Sequence, residues 1–207
     1  MSNGQLEEFS ILIERMKLDD LSQVRRIEKA SFPVPWPRDS YRREILDNRR
    51  ACYLAARWLD AEPLPEPPPR PFPFNLLPTS DKPANDLVAF AGLWFMIDEA
   101  HITTIAVDPL CRGRGIGEVL FIELVKLSQL RGAERMTLEV RVSNRVAQNL
   151  YRKYGFTDHG VRPRYYSDDF EDALIMWSEP LDGADFCQRL ADNERDLARR
   201  LCWTTHI

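Results

Sequence analysis

The chain has no long apolar run, and no stretch of its 207 residues reaches the length needed to cross a bilayer. Its opening residues, Met-Ser-Asn-Gly-Gln-Leu-Glu-Glu, carry neither a cationic nor an apolar segment, so no secretory leader is expected. Cysteine is scarce: Cys52, Cys111, Cys187 and Cys202 show no C-x-x-C spacing, and with only three histidines no metal site is expected. A net charge of -4 argues against nonspecific nucleic-acid binding, and no internal repeat is visible. These absences predict a soluble, cytoplasmic protein in a reducing compartment, with one domain and room for an appendage. Glycine is sparse too, nine residues in all, yet three of them, Gly113, Gly115 and Gly117, fall within five positions.

Those glycines sit in the most informative stretch. An apolar strand, Ile102–Val107, stops at Asp108-Pro109, and a loop rich in Arg and Gly then opens a long helix. Ile116, Leu120, Leu124 and Leu127 recur at spacings of four, four and three, the mark of a buried face. Glycine permits positive φ and close backbone approach. A helix N-terminus offers unpaired N–H donors and about half a positive charge, which suits phosphate. Arg112 and Arg114 add cationic forks. The stretch therefore predicts a pyrophosphate cradle. A P-loop is excluded, because Gly117 is followed by Glu118-Val119 and not by Lys-Ser/Thr, and a dinucleotide fingerprint needs its third glycine one residue later. Arg112, Gly115 and Gly117 do match Arg/Gln-x-x-Gly-x-Gly/Ala after a strand, which resembles the acetyl-CoA loop of the GNAT N-acetyltransferases. The alternative is a glycine-rich turn that only caps a helix.

Along the rest of the chain, Phe9–Met16 alternates as a strand, and Leu18–Leu21 begins a helix that Asp19 or Asp20 would cap, with Val24, Ile27 and Glu28 following. Three prolines keep Ser31–Pro37 out of any helix. A second helix is predicted from Arg38 or Asp39 to Leu46, its face made by Tyr41, Ile45 and Leu46, and Cys52–Ala56 reads as a second strand. Glu62–Pro83 is too rich in proline for either element, and Phe72, Phe74, Leu76 and Leu77 are its candidate anchors. It reads as a tolerated insertion in preference to a docking segment for a proline-recognising partner. Leu87–Ile97 and His101–Val107 predict two strands around Asp98-Glu99, and Gly132 is placed just past the end of the cradle helix. Arg135–Val142 alternates, with Thr137, Glu139 and Arg141 on the polar side. Ser143 or Asn144 then caps a helix bearing Ala147, Leu150, Tyr151 and Tyr154, closed by Gly155. Phe156–Arg162 and Glu171–Ser178 look like final strands, and Phe186, Leu190, Leu197 and Leu201 share a helical stripe expected to pack on the same domain.

Ile105–Pro109, Leu138–Asn144 and Asn149–Phe156 together resemble the RimI family, the N-acetyltransferases of ribosomal protein S18, over about Phe9–Leu181 outside the insertion. The resemblance implies the GNAT fold: an α/β (α+β layered) domain over 1–181, interrupted at about 60–86, followed by a helical extension over 182–207. Its central mixed, mostly antiparallel sheet would splay in a V between the fourth and fifth strands. It further implies transfer from acetyl-CoA, without a metal, to the N-terminal α-amine of a protein, with S18 as the expected acceptor and no nucleic-acid or membrane partner. Glu139 would accept the amine's proton and Tyr151 would protonate the departing thiolate. Ile105, Ala106, Val107, Arg112, Gly113, Arg114, Gly115, Ile116, Gly117, Glu118 and Asn144 would hold the cofactor, and Phe32, Trp36, Arg164, Tyr165 and Tyr166 the peptide. Without the resemblance, Glu139 reads as a surface partner of Arg141, Tyr151 as a core aromatic and Asn144 as a helix cap. Other protein N-termini, lysine side chains, small amines and a non-catalytic CoA-binding module are the competing readings.

Overall fold

The structure is a computed structural model that describes residues 10–59 and 86–207. The proline-rich stretch and its candidate anchors Phe72, Phe74, Leu76 and Leu77 lie outside the described residues. The first strand, β1 (Ser10–Arg15), passes through a short 3-10 turn at Leu18–Asp20 into α1 (Leu21–Ser31). Asp20 caps the turn and not α1: its carboxylate accepts the Lys17 N–H at 2.8 Å and is paired with Arg57. In α1, Val24, Ile27 and Glu28 face inward. Glu28 is fully buried, and such a carboxylate persists only when its oxygens are satisfied. It accepts the Trp36 N–H at 2.8 Å, the Tyr41 hydroxyl at 3.1 Å and the Arg25 guanidinium at 2.8 Å, which staples the Ser31–Pro37 loop to two helices.

The second helix is α2 (Ser40–Leu46). Tyr41 and Ile45 pack inward as expected, but Leu46 is exposed, because one further residue turns the side chain about 100° around the axis. Strands β2 (Ala51–Trp58), β3 (Leu87–Met96) and β4 (Glu99–Val107) run antiparallel. A 3-10 turn at Pro109–Cys111 leads to α3 (Ile116–Leu130). Then follow β5 (Arg135–Arg141), α4 (Arg145–Lys153), β6 (Thr157–Arg162), β7 (Ala173–Trp177), α5 (Ala184–Ala198) and β8 (Cys202–His206).

All eight strands form one sheet in the order β6-β7-β5-β4-β3-β2-β1-β8. Helices α1 and α2 cover one face, over Tyr53, Ala55, Leu87 and Phe90. Helices α3, α4 and α5 cover the other, over Leu54, Val88, Ala91 and Leu138. Both faces of β2 are therefore buried, which accounts for its almost uniformly apolar sequence.

Two strand pairs are parallel, and they are the informative ones. Between β4 and β5 the ladder holds only from Glu99↔Arg135 to Ile102↔Leu138, after which the strands part. A register shift between Gly92 and Leu93 of β3 leaves Thr103 as an extra residue at the point of parting. Such a bulge bends its strand. The sheet thus opens in a V between its fourth and fifth strands, as the family resemblance implied.

The second parallel pair is β1 with β8, from Ser10↔Cys202 to Glu14↔His206. The extension is therefore not wholly helical: it ends in a strand that joins the same sheet. Helix α5 packs against α3 through Phe186, Leu190 and Leu197, with Leu201 just beyond it, all buried. This contact, with the packing of Tyr151, Tyr154 and Phe156 on Phe121, explains why Val119, Phe121, Ile122 and Val125 of α3 are buried together with the predicted Ile116, Leu120, Leu124 and Leu127. A helix apolar on every side has partners on every side.

Candidate active site

The opening between β4 and β5 widens into a cavity of about 930 Å³, reaching from the Ser31–Pro37 loop to the segment Tyr165–Glu171. Glu139, Tyr151, Asn144, Ile105, Phe32, Trp36, Tyr165 and Tyr166, scattered in the sequence, all line it. Arg164 does not line this cavity: its guanidinium lies over the Phe170 ring at 5.1 Å, and its backbone, at φ 53°, donates to Asp172.

The cradle lies where β4 ends. The buried Asp108 carboxylate accepts the Leu110 N–H at 3.0 Å and pairs with Arg26, which fixes the turn. Gly113 and Gly115 both adopt left-handed φ, 78° and 89°. The Val119 N–H donates to Gly115 C=O at 3.0 Å, so the N–H groups of Ile116, Gly117 and Glu118 have no partner within the helix. A Cβ placed on Gly113 would meet no atom within 4 Å, so the loop is open to a ligand. Such a donor set fits a diphosphate.

Along β4 the Asp108 N–H donates to Val88 C=O at 2.8 Å. By alternation, the N–H groups of Val107 and Ile105 face the V. Ala106 presents its backbone to β3 instead, and its side chain is buried on the α1 side. An extended amide chain can therefore pair with Ile105 and Val107, but the Ala106 backbone takes no part.

Three predicted cofactor residues are partly engaged elsewhere. Arg112 donates to Val107 C=O and to Ser31 Oγ, both at 3.1 Å, which braces the cradle against α1. Arg114 stacks over the Trp58 ring at 5.7 Å. The Glu118 carboxylate points away, to the Tyr154 hydroxyl at 2.8 Å and to Lys153 and Arg200, so Glu118 offers the cradle only its backbone.

Glu139 does not pair with Arg141. One of its oxygens lies 3.1 Å from His101 Nε2 and the other 3.1 Å from Arg162. The His101 hydrogen bond, working against burial and helped by Arg162, holds its carboxyl below the usual 4.5. Arg141 instead gathers Asp168, Asp169 and Glu171 at 2.6–2.9 Å and stacks on the Tyr166 ring at 3.9 Å, which shapes the far wall. Burial drives the Tyr166 phenol up to about 12. Tyr151 packs its ring on Phe121 and Phe156, and burial likewise pushes its phenol well above the ordinary value, so it stays protonated at neutral pH. Asn144 accepts the Ala147 N–H at 3.2 Å and caps α4.

Sequence reasoning did not single out His101, Arg162 or Trp94, and it read Arg141 only as a partner of Glu139. Their roles depend on pairings such as His101↔Thr137 that no local pattern announces. The scarcity of histidine was the one available signal.

A parallel pair that splays beside a glycine-floored helix start is the frame of an acetyl-CoA-dependent N-acetyltransferase. The GNAT acetyltransferase family model matches residues 21–156, and the chain belongs to that family. Within the family it groups with the RimI type. It is 39% identical over 166 residues to the ribosomal protein bS18-alanine N-acetyltransferase of Salmonella typhimurium, covering 79% of this chain and 94% of that one. A Bacillus subtilis protein provisionally given the same name is 38% identical over 165 residues, covering 80% and 93%. The crystal structure of the ribosomal-protein-S18-alanine N-acetyltransferase from Escherichia coli superposes with a TM-score of 0.65 at 27% identity, covering 84% of this chain and 96% of that one.

Proposed function

We propose that the chain acetylates the α-amine of a protein N-terminus, with ribosomal protein bS18 as its acceptor. The observation that carries this reading is the cavity joining the open β4 backbone to Glu139, Tyr151 and an aromatic groove. The names of the relatives supply the acceptor.

Acetyl-CoA brings an activated thioester. The chain's residues do the rest. The first-turn N–H groups of α3 and the Arg112 guanidinium grip the diphosphate. The backbone of Ile105 and Val107 aligns the pantetheine as an added strand, and the Val107 N–H polarises the thioester carbonyl. Asn144 lies beside the arm while it caps α4. Glu139 draws in the α-ammonium and serves the removal of its proton. Tyr151, kept protonated by burial, supplies the proton that the departing sulfur needs. Phe32, Trp36, Tyr165 and Tyr166 flank the peptide.

The setting proposed is cytoplasmic. Among the described residues, no helix is long and apolar enough to cross a membrane, and no group of three or more His, Cys, Asp and Glu side chains could hold a metal ion. The test is incubation with acetyl-CoA and a peptide carrying the bS18 N-terminus, followed by mass spectrometry. One acetyl group on the α-amine, abolished by blocking that amine, is the expected result. Acetylation of lysine side chains alone would overturn the reading.

A further inference from the structure

Glu139 is poorly suited to keep the proton it helps remove. The His101 contact and Arg162 hold the Glu139 carboxyl below its usual range, whereas an α-ammonium titrates near 7.7–8, so Glu139 is a weak resting place for that proton. His101 projects from β4 into the same cavity, and its Nε2 lies 3.1 Å from Glu139 Oε2. A neutral ring that carries its hydrogen on Nε2, toward the carboxylate, has Nδ1 as its acceptor nitrogen. Among the described residues Nδ1 has no hydrogen-bond partner.

We propose that Glu139 and His101 act as a carboxylate–imidazole pair, in which Glu139 holds Nε2–H and so fixes the ring while Nδ1 takes the proton of the incoming amine. The logic is that of a carboxylate orienting a histidine base. The proposal rests on the N-terminal acetylation reading above.

The balance is complete. An ammonium N–H bond breaks, its electron pair stays on nitrogen, and a new Nδ1–H bond makes the ring an imidazolium. The freed pair forms the N–C bond to the acetyl carbon as the C–S bond breaks. Tyr151 gives its proton to sulfur, the nitrogen's second proton restores the phenol, and the imidazolium returns its proton to solvent.

Several groups bear on the ring. Glu139 faces it from β5, with Arg162 of β6 on that carboxylate's other oxygen. The Trp94 ring of β3 lies 6.5 Å away, and Trp94 Nε1 donates to Glu44 of α2. Tyr165 lies against Arg162.

The test is the pH profile of kcat for wild type, His101→Gln and Glu139→Gln, with the double variant closing a cycle. Glutamine at 101 can still donate to Glu139 but cannot act as a base. The expected result is a loss in kcat of about 100-fold or more, an acid limb that no longer superimposes on the wild-type one, an unchanged acetyl-CoA KM, and a double variant hardly worse than either single one. A His101→Gln profile that superimposes on wild type, or effects that multiply in the double variant, would overturn the pair. Should His101→Gln fail to bind acetyl-CoA, the question passes to His101→Ala: rescue by added imidazole supports the pair, and no rescue counts against it. A wild type that transfers nothing to the N-terminal peptide would sink the underlying reading instead.

Discussion

At the scale of single residues, the site depends on two groups driven in opposite directions. The His101 hydrogen bond, helped by Arg162, holds the Glu139 carboxyl low, while burial holds the Tyr151 phenol high. Glu139→Gln and Tyr151→Phe should each lower kcat about 10²- to 10⁴-fold with little change in acetyl-CoA affinity, and steady-state kinetics beside calorimetric binding separate the two quantities. A stability effect also follows. Because the folded-state pKa of Glu139 lies below its ordinary 4.5, its contribution is complete above that pH and lost as pH falls through the lowered value. Thermal melts of wild type and Glu139→Gln should therefore differ at neutral pH and converge in acid. Much of this scale was legible: Asn144 as cap, Gly155 at φ 84° and Tyr151 as a core aromatic. The partners of Glu139 were not, because His101 and Arg162 reach it from strands 38 positions before and 23 positions after it.

Among the elements, the start of α3 concentrates what the cofactor requires. Arg112→Glu should raise the KM for acetyl-CoA by removing a cationic fork and placing a carboxylate beside the phosphates, and an unchanged KM would count against the cradle. Gly115→Ala is expected to be worse. At φ 89° an alanine is strained, and its Cβ would lie 2.9 Å from Leu197 Cδ1. Chemical denaturation should show a larger loss of stability for Gly115→Ala than for Arg112→Glu, which gives up only two exposed hydrogen bonds. The helices and most strands were readable from periodicity, since each carries its own apolar stripe. The V was implied only by family resemblance, because strand parting is a property of two distant segments and a bulge at Thr103. The closing strand Cys202–His206 was missed for a similar reason: its short pattern gains meaning only beside Ser10–Glu14.

For the whole molecule, the extension is part of the core. Leu197→Ala should cost about 2–5 kcal/mol, read as a lower urea midpoint with an unchanged slope. Removal of residues 182–207 strips four buried apolar side chains from the far side of α3 at about 1.5–3 kcal/mol each, comparable with the 5–15 kcal/mol that holds a typical domain together. The truncated chain should be recovered aggregated, and a folded monomer by gel filtration would contradict this. The sequence foretold that this stripe packs on its own domain, and the all-round apolarity of α3 was the second half of the same message.

The paired ends of β2 and β3 carry one more consequence. Arg57 stands opposite Leu87, Ala89 opposite Val107, and Trp58 beneath Arg114, so these ends lie at the nucleotide end of the molecule. The aromatic groove, at Trp36 and Trp94, belongs to the opposite end of β3. Chimeras that exchange the Ser31–Pro37 and Tyr165–Glu171 loops should therefore inherit their donor's choice of N-terminus while keeping this chain's grip on CoA.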